Sequence, residues 1–304
     1  MNPSLDHDLL LDRRRLKRRL LAWRVAAVVL AGVAGFVALR PQLEALSGQD
    51  HLVRLKVEGT ITDDPRVAQA LDAAARDASV RGLILSIDSP GGTVSGGEAL
   101  HAAVARFRDS GKPVAAVMRG TAASAAYMAA MPAGRVFARE STVTGSIGVL
   151  LQSFDASELL SRLGVRPEAL TSGALKAQPS PFQPLTPEGR AALQGVVADL
   201  HAQFVAMVAA GRRMSVEQVQ PLADGRVYTG RQALALGLVD AIGAEPEARA
   251  WMEFQGKVPV ATPVRDLDPR DASERFFGFA LRGLGRSVVS EWLAIDGIRA
   301  VWQP

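Results

Sequence analysis

Apolar and polar positions after residue 50 follow two periods in turn. "LVRLKVEG" (52–59) alternates with period two, as a half-buried strand does. Pro65–Ser79 has helical spacing, and "GLILSID" (82–88) is a short apolar run that predicts a buried strand. Glu98–Asp109 predicts a helix, "PVAAVM" (113–118) a strand, and Ser124–Met131 a helix stopped by Pro132. "RVFA" (135–138) and "SIGVLLQSF" (146–154) continue the strands, and Ala156–Leu163 returns to helix. A long amphipathic helix then starts from Thr186 as N-cap with Pro187 in its first position. Ser215–Gln218 and Thr229–Gln232 each fit a capping box, so two shorter helices follow. Strands alternating with helices require crossover connections. The expected fold is therefore α/β with a largely parallel sheet, in one domain over 51–250. Residues 251–304 are expected to form a C-terminal tail with an apolar face that fits a neighbour, a membrane surface or its own domain.

The N-terminus has a different pattern. Residues 20–39 are apolar apart from Arg24, long enough to cross a hydrocarbon core, and Arg24 can reach back to the basic flank. Six positive residues lie between Arg13 and Arg19, which predicts a cytoplasmic segment at 1–19 and export of everything after the span. A cleaved signal peptide is the competing reading. No small-residue cleavage site precedes "RPQLEAL", so an uncleaved single-pass anchor is favoured, with 40–50 as linker.

Charge sharpens this picture. The chain carries +4 overall, but residues 1–40 hold eight basic and three acidic side chains, leaving 27 against 28 for the rest. The excess is local to the N-terminus, and nucleic acid is not an expected partner. The chain has no cysteine, which removes disulfides, thiolate nucleophiles and thiolate metal sites.

One hydroxyl stands out in "GTAASAAYMAAMP": Ser124, at a strand-to-helix junction cleared of bulky side chains. Close helix packing would explain the alanines, and so would the approach of a substrate to the hydroxyl. A serine needs a neighbour to take its proton. The four histidines, His7, His51, His101 and His201, lie across the expected membrane, in the connector, or within helices without an obvious acidic partner. Lysine is the other base, when desolvated. There are five lysines against thirty arginines, and Lys176 sits between Leu175 and Ala177 before a proline-rich stretch. A solvated loop lysine fits that local context equally well. "SIDSPGGTVSGG" brings Pro90-Gly91-Gly92 to a strand end, where glycines let backbone N–H groups face a bound oxyanion or simply turn the chain. Ser146, between two glycines in "TGSIGV", could orient a lysine or belong to an ordinary turn.

Taken together and in order, "DSPGG" (88–92), "AAS..Y.AA" (122–130), "TGSIGV" (144–149), the lysine segment before "PFQPLTPE" and "GRVYTGRQALALGLVDAIG" (225–243) resemble the signal peptide peptidase A family. The resemblance covers roughly residues 50–250 and implies a Clp protease/crotonase-like domain behind a membrane anchor. It implies Ser124 as nucleophile, Lys176 as general base and Ser146 as the residue that orients the lysine. Gly91 and the N–H of Ala125 are implied as the oxyanion hole, with no metal or cofactor. Many relatives have Gly-Gly after the nucleophile where this chain has Ala125-Ala126. The implied partners are signal peptides and other apolar membrane-derived peptides, a bacterial inner membrane with the catalytic domain on its extracytoplasmic side, and further copies of the chain in a ring-like homo-oligomer. Two rival functions remain: a crotonase-type enzyme acting on an acyl thioester, and an inactive peptide-binding membrane scaffold.

Overall fold

A computed structural model describes residues 23–24, 49–269 and 298–301. The chain divides into two units, 1–49 and 50–304. The expected span over residues 20–39 lies outside the described residues, apart from Trp23 and Arg24, which are helical. All that follows concerns the second unit.

The expected alternation holds. Strand β1 (His51–Ile61), helix α1 (Pro65–Arg76), strand β2 (Val80–Thr93), helix α2 (Val94–Asp109) and strand β3 (Val114–Ala123) follow one another. Helix α3 (Ala125–Ala130) and strands β4 (Arg135–Ala138), β5 (Val143–Gly145) and β6 (Leu150–Leu151) come next. Then come α4 (Ser157–Arg162), the 26-residue α5 (Pro187–Arg212), α6 (Val216–Val219), β7 (Val227–Thr229) and α7 (Gly230–Ala235). β8 (Ala241–Ile242), α8 (Glu245–Gly256), β9 (Val264–Asp266) and β10 (Ile298–Val301) complete the body. β1, β2, β3, β4 and β8 run parallel to one another, as crossover connections require. β9 extends this sheet beside β1, and β5 continues beside the end of β3. Only β5–β7 and the two pairings of β10 are antiparallel among the described strands.

Period-two alternation sends side chains to two buried faces. Val53, Leu83, Leu85, Ala116 and Val136 face the larger core, under α2, α3 and the second half of α5. Leu52, Ile84, Ala115, Val117 and Phe137 face the smaller one, closed by Ala248 and Met252 of α8. Residue 250, expected to end the domain, therefore falls inside a helix that covers the sheet.

Three other expectations change. β2 runs on through the Pro-Gly-Gly stretch instead of stopping at Asp88, because β1 pairs with it as far as Gly92. α2 starts four residues earlier than expected, where Thr93 Oγ1 accepts the Gly96 N–H. "SIGVLLQSF" is not one strand. Gly145 and Ser146 have φ of 81° and 49°, which turns the chain between β5 and the two-residue β6.

Among the described residues one helix, α5, is long and apolar enough to cross a membrane by length and composition. Its second half contributes Phe204, Val205, Val208 and Ala209 to the core, whereas Val196 in its first half is exposed.

Candidate active site

Ser124 closes β3 and caps α3 in a backbone conformation of φ 56°, ψ −122°, which non-glycine residues rarely adopt. Two backbone bonds hold it there: its N–H donates to Gly145 O and its carbonyl accepts the Met128 N–H, both at 2.9 Å. Its Oγ is buried and has no hydrogen-bond partner among the described residues. A buried hydroxyl normally has one, so this atom is costly to hold unless something else engages it.

The surrounding alanines have a packing role. All six residues of α3 are buried, and a Cβ built on Gly97 of α2 would lie 3.0 Å from Ala125 Cβ and 3.1 Å from Met128 Sδ. The small side chains let α2 and α3 approach each other, which is the packing explanation of these alanines. Tyr127, the one large polar residue of α3, donates from its OH to Leu238 O at 2.7 Å.

β3 pairs with β2 as far as Ser89 opposite Ala122, then turns away at Ser124. The edge of β2 that β3 vacates, Gly91–Thr93, is taken by β10, with Val301 opposite Gly91 and Arg299 opposite Thr93. On its far side β10 pairs with β6. A strand-wide slot thus begins beside Ser124, and an extended stretch of this chain lies in it, hydrogen-bonded on both edges.

Gly91 and Gly92 line the slot. A Cβ on Gly92 would lie 1.8 Å from Ile61 O, so no side chain fits there. Gly91 has φ 112°, and its N–H, the expected oxyanion donor, is engaged: it donates to the buried Ser89 Oγ at 3.1 Å. Ala125 N–H is the first donor of α3 and has no acceptor within its own helix.

Ser146 stands one residue beyond the Gly145 carbonyl that holds Ser124, with its own N–H donated to Arg226 O at 2.9 Å. β5 and β7 fix that register, and Gly145 is required because a Cβ would lie 2.6 Å from Tyr228 Cδ2. Ser146 borders a cavity of about 410 Å³, together with Leu150, His201 and Asp224. Lys176 is not brought to this group. It lies exposed between α4 and α5, in a turn where its N–H donates to Gly173 O. Among the described residues no apolar setting encloses it, since Leu170, Leu175 and Phe182 of the same segment are themselves exposed.

No described histidine hydrogen-bonds Ser124 Oγ. His201 Nε2 is bonded to Ala223 O at 2.8 Å. Burial, and secondarily the charge of Arg108, pushes the His101 pKa below its ordinary value, but His101 makes no hydrogen bond to Ser124 Oγ. His7 lies outside the described residues.

Sequence reasoning missed Ser89. Its only signal was a hydroxyl two positions before the first glycine of the turn.

Comparison with known proteins places these residues in a family. The model of peptidase family S49 matches residues 106–259. A Synechocystis protein named as a protease is 38% identical over 207 residues, spanning 67% of this chain and 74% of that one. An Enterococcus faecium protein named as a signal peptide peptidase SppA is 32% identical over 271 residues, 85% of this chain and 76% of that one. A solved mutant of the 1510-N membrane-bound stomatin-specific protease is 15% identical with a TM-score of 0.48, covering 73% of this chain and 100% of that one. The family match decides against the acyl-thioester reading. The chain belongs to peptidase family S49, in its signal peptide peptidase A branch, and is a serine peptidase.

Proposed function

We propose that the chain is a membrane-anchored serine endopeptidase that cleaves extended peptides, released signal peptides among them, through Ser124 and Lys176. The observation that carries this reading is the slot between β2 and β6, which starts at Ser124 and already accepts a strand on both edges. Strand addition recognises backbone and needs no particular sequence, which suits a peptidase of varied hydrophobic peptides. The relative named as a signal peptide peptidase supports the substrate class.

In the proposed reaction Lys176 Nζ takes the Ser124 Oγ proton as Oγ attacks the peptide carbonyl carbon. The oxyanion receives the Ala125 N–H, joined by Gly91 N–H once that group leaves Ser89 Oγ. The lysine ammonium returns the proton to the departing amine, and water attacks the acyl-enzyme to release the second product. Ser146 accepts or donates one hydrogen bond to the lysine amine and fixes its direction.

Lys176 has to be drawn to the cleft and removed from water for this chemistry. Exposed Leu170, Leu175, Phe182 and Val196 offer an apolar surface to a neighbouring copy, in keeping with a ring-like homo-oligomer. The apolar stretch at 20–39 after a basic segment supports an inner-membrane anchor with the catalytic unit outside.

The test is hydrolysis of an unstructured signal-peptide substrate by the full chain. Ser124→Ala and Lys176→Ala are each expected to abolish cleavage while the folded far-ultraviolet spectrum persists. A Lys176→Ala chain that still cleaves would assign the base elsewhere, with His101 next in line. A folded, oligomeric wild type without activity would favour the peptide-binding scaffold.

A further inference from the structure

We infer that Ser89 is a positioning residue that sets the direction of the Gly91 N–H and holds it off the reacting carbonyl until substrate is in the cleft; this rests on the reading of Gly91 as an oxyanion donor. Ser89 sits where both ladders of β2 slip. The β1–β2 register shifts between Glu58 and Thr60, leaving Gly59 unpaired at φ 69°, and the β2–β3 register shifts between Ile87 and Ser89. Its fully buried hydroxyl fills the gap. Ser89 Oγ donates its single proton to Gly59 O at 2.6 Å and accepts the Gly91 N–H at 3.1 Å.

An N–H aimed into the interior at a buried oxygen is not aimed into the cleft, where the oxyanion forms. The Pro90–Gly91 peptide must turn for that donor to serve, and Gly91, with φ 112° and no Cβ, is the residue type that turns at least cost. Ser89 Oγ and the oxyanion therefore compete for one N–H. The charged oxyanion wins that competition because charge-assisted hydrogen bonds are about twice as strong as neutral ones. A neutral ground-state carbonyl does not. The hydroxyl thus keeps the oxyanion hole open-ended in the resting chain, and the transition state has to break the Ser89 bond to complete the hole.

Ser89→Ala removes the competitor. In the full chain, kcat for a signal-peptide substrate is expected to rise about fivefold with KM unchanged, which corresponds to the ~1 kcal/mol net of one neutral hydrogen bond. A peptide boronate, whose adduct carries the oxyanion, should bind tighter by a similar factor. The melting temperature should fall at the same time, because Gly59 O and Gly91 N–H lose a shared partner. A residue with a purely structural role would lower both quantities together. Ser89→Thr, which keeps the hydroxyl, should leave kcat within twofold of wild type. Unchanged or reduced kcat in a folded Ser89→Ala chain overturns the inference, as does a faster Ser89→Thr. In either case an inactive Ser124→Ala control leaves the catalytic reading standing, whereas a Ser124→Ala chain that still cleaves overturns both.

Discussion

The helix that carries Ser124 is braced by an ion pair some distance along the chain, and breaking it gives a measurable prediction. Arg212, the last residue of α5, forms two hydrogen bonds with Asp240, at 2.9 and 2.7 Å, and its side chain is 7% exposed. Asp240 Oδ2 also accepts the Val136 N–H at 2.7 Å. The pair thus ties α5 to β4 and to the 237–240 turn, whose Leu238 carbonyl receives Tyr127 OH of α3. Asp240→Ala leaves a buried guanidinium holding, among the described residues, only Gly237 O, and leaves Val136 N–H without its carboxylate. Removing one partner of a buried pair costs about 3–5 kcal/mol. Asp240 is 33% exposed, so water can partly replace it, and we expect the lower end, about 3 kcal/mol. For a body of this size that is a drop of roughly 6–12 °C in melting temperature. Circular dichroism melts should show it, and Arg212→Met combined with Asp240→Ala should cost less than the two single changes added. The pH dependence has a definite sign. Burial alone would push the Asp240 carboxyl up, but the hydrogen bonds and charge of Arg212, with Val136 N–H, outweigh it and hold it below the ordinary value. A depressed carboxylate stabilises the fold above its unfolded pKa of about 4 and loses that contribution as pH falls through the folded value. The gap between wild type and Asp240→Ala should be constant from pH 5 to 8 and narrow below about 4. A loss under 2 °C, or additive double-mutant behaviour, would refute the bracing argument.

Gly92→Ala should be far more damaging than a methyl group suggests, since its Cβ would lie 1.8 Å from Ile61 O; at least about 3 kcal/mol of stability and all cleavage should go, read by melting and peptide hydrolysis. Tyr127→Phe removes the hydroxyl that reaches Leu238 O and should cost about 1–3 kcal/mol, because that carbonyl loses its buried donor, with KM unchanged. Ser146→Ala should lower kcat about 10- to 100-fold with little change in melting temperature, because its hydroxyl does not hold the turn; a marked loss of stability would show that it does.

Element order was legible because both periods are strongly written. Thr186, Ser215 and Thr229 announced their helices, and all three caps form as spacing predicts. What could not be read depends on pairing between distant segments. "SIGVLLQSF" looks like a strand until the positive φ of Gly145 and Ser146 is known, and those angles are imposed by β7 and Tyr228, some eighty residues on. The alanines after Ser124 fit two explanations in the sequence, and the approach of Gly97 to Ala125 and Met128 makes the packing one concrete. Gly91 was legible as a residue able to present an N–H, but the direction of that group follows from Ser89 and the Gly59 bulge. Lys176 was identifiable by its rarity, whereas its exposure is a property of the segment around it in three dimensions.

The Gly145–Ser146 dipeptide has a consequence for precision. The Ser124 amide hangs from the Gly145 carbonyl, and Ser146 is the next residue along. A displacement of β5, whether from thermal motion or a distant substitution, carries both serines in the same direction. Their relative separation is then insulated from errors in the absolute position of either one. Random drift in the surrounding loops becomes a shared translation, which leaves the spacing between the two hydroxyls almost unaltered. Substitutions that loosen β5 should therefore be tolerated better than those that alter the single peptide link between the two anchoring points.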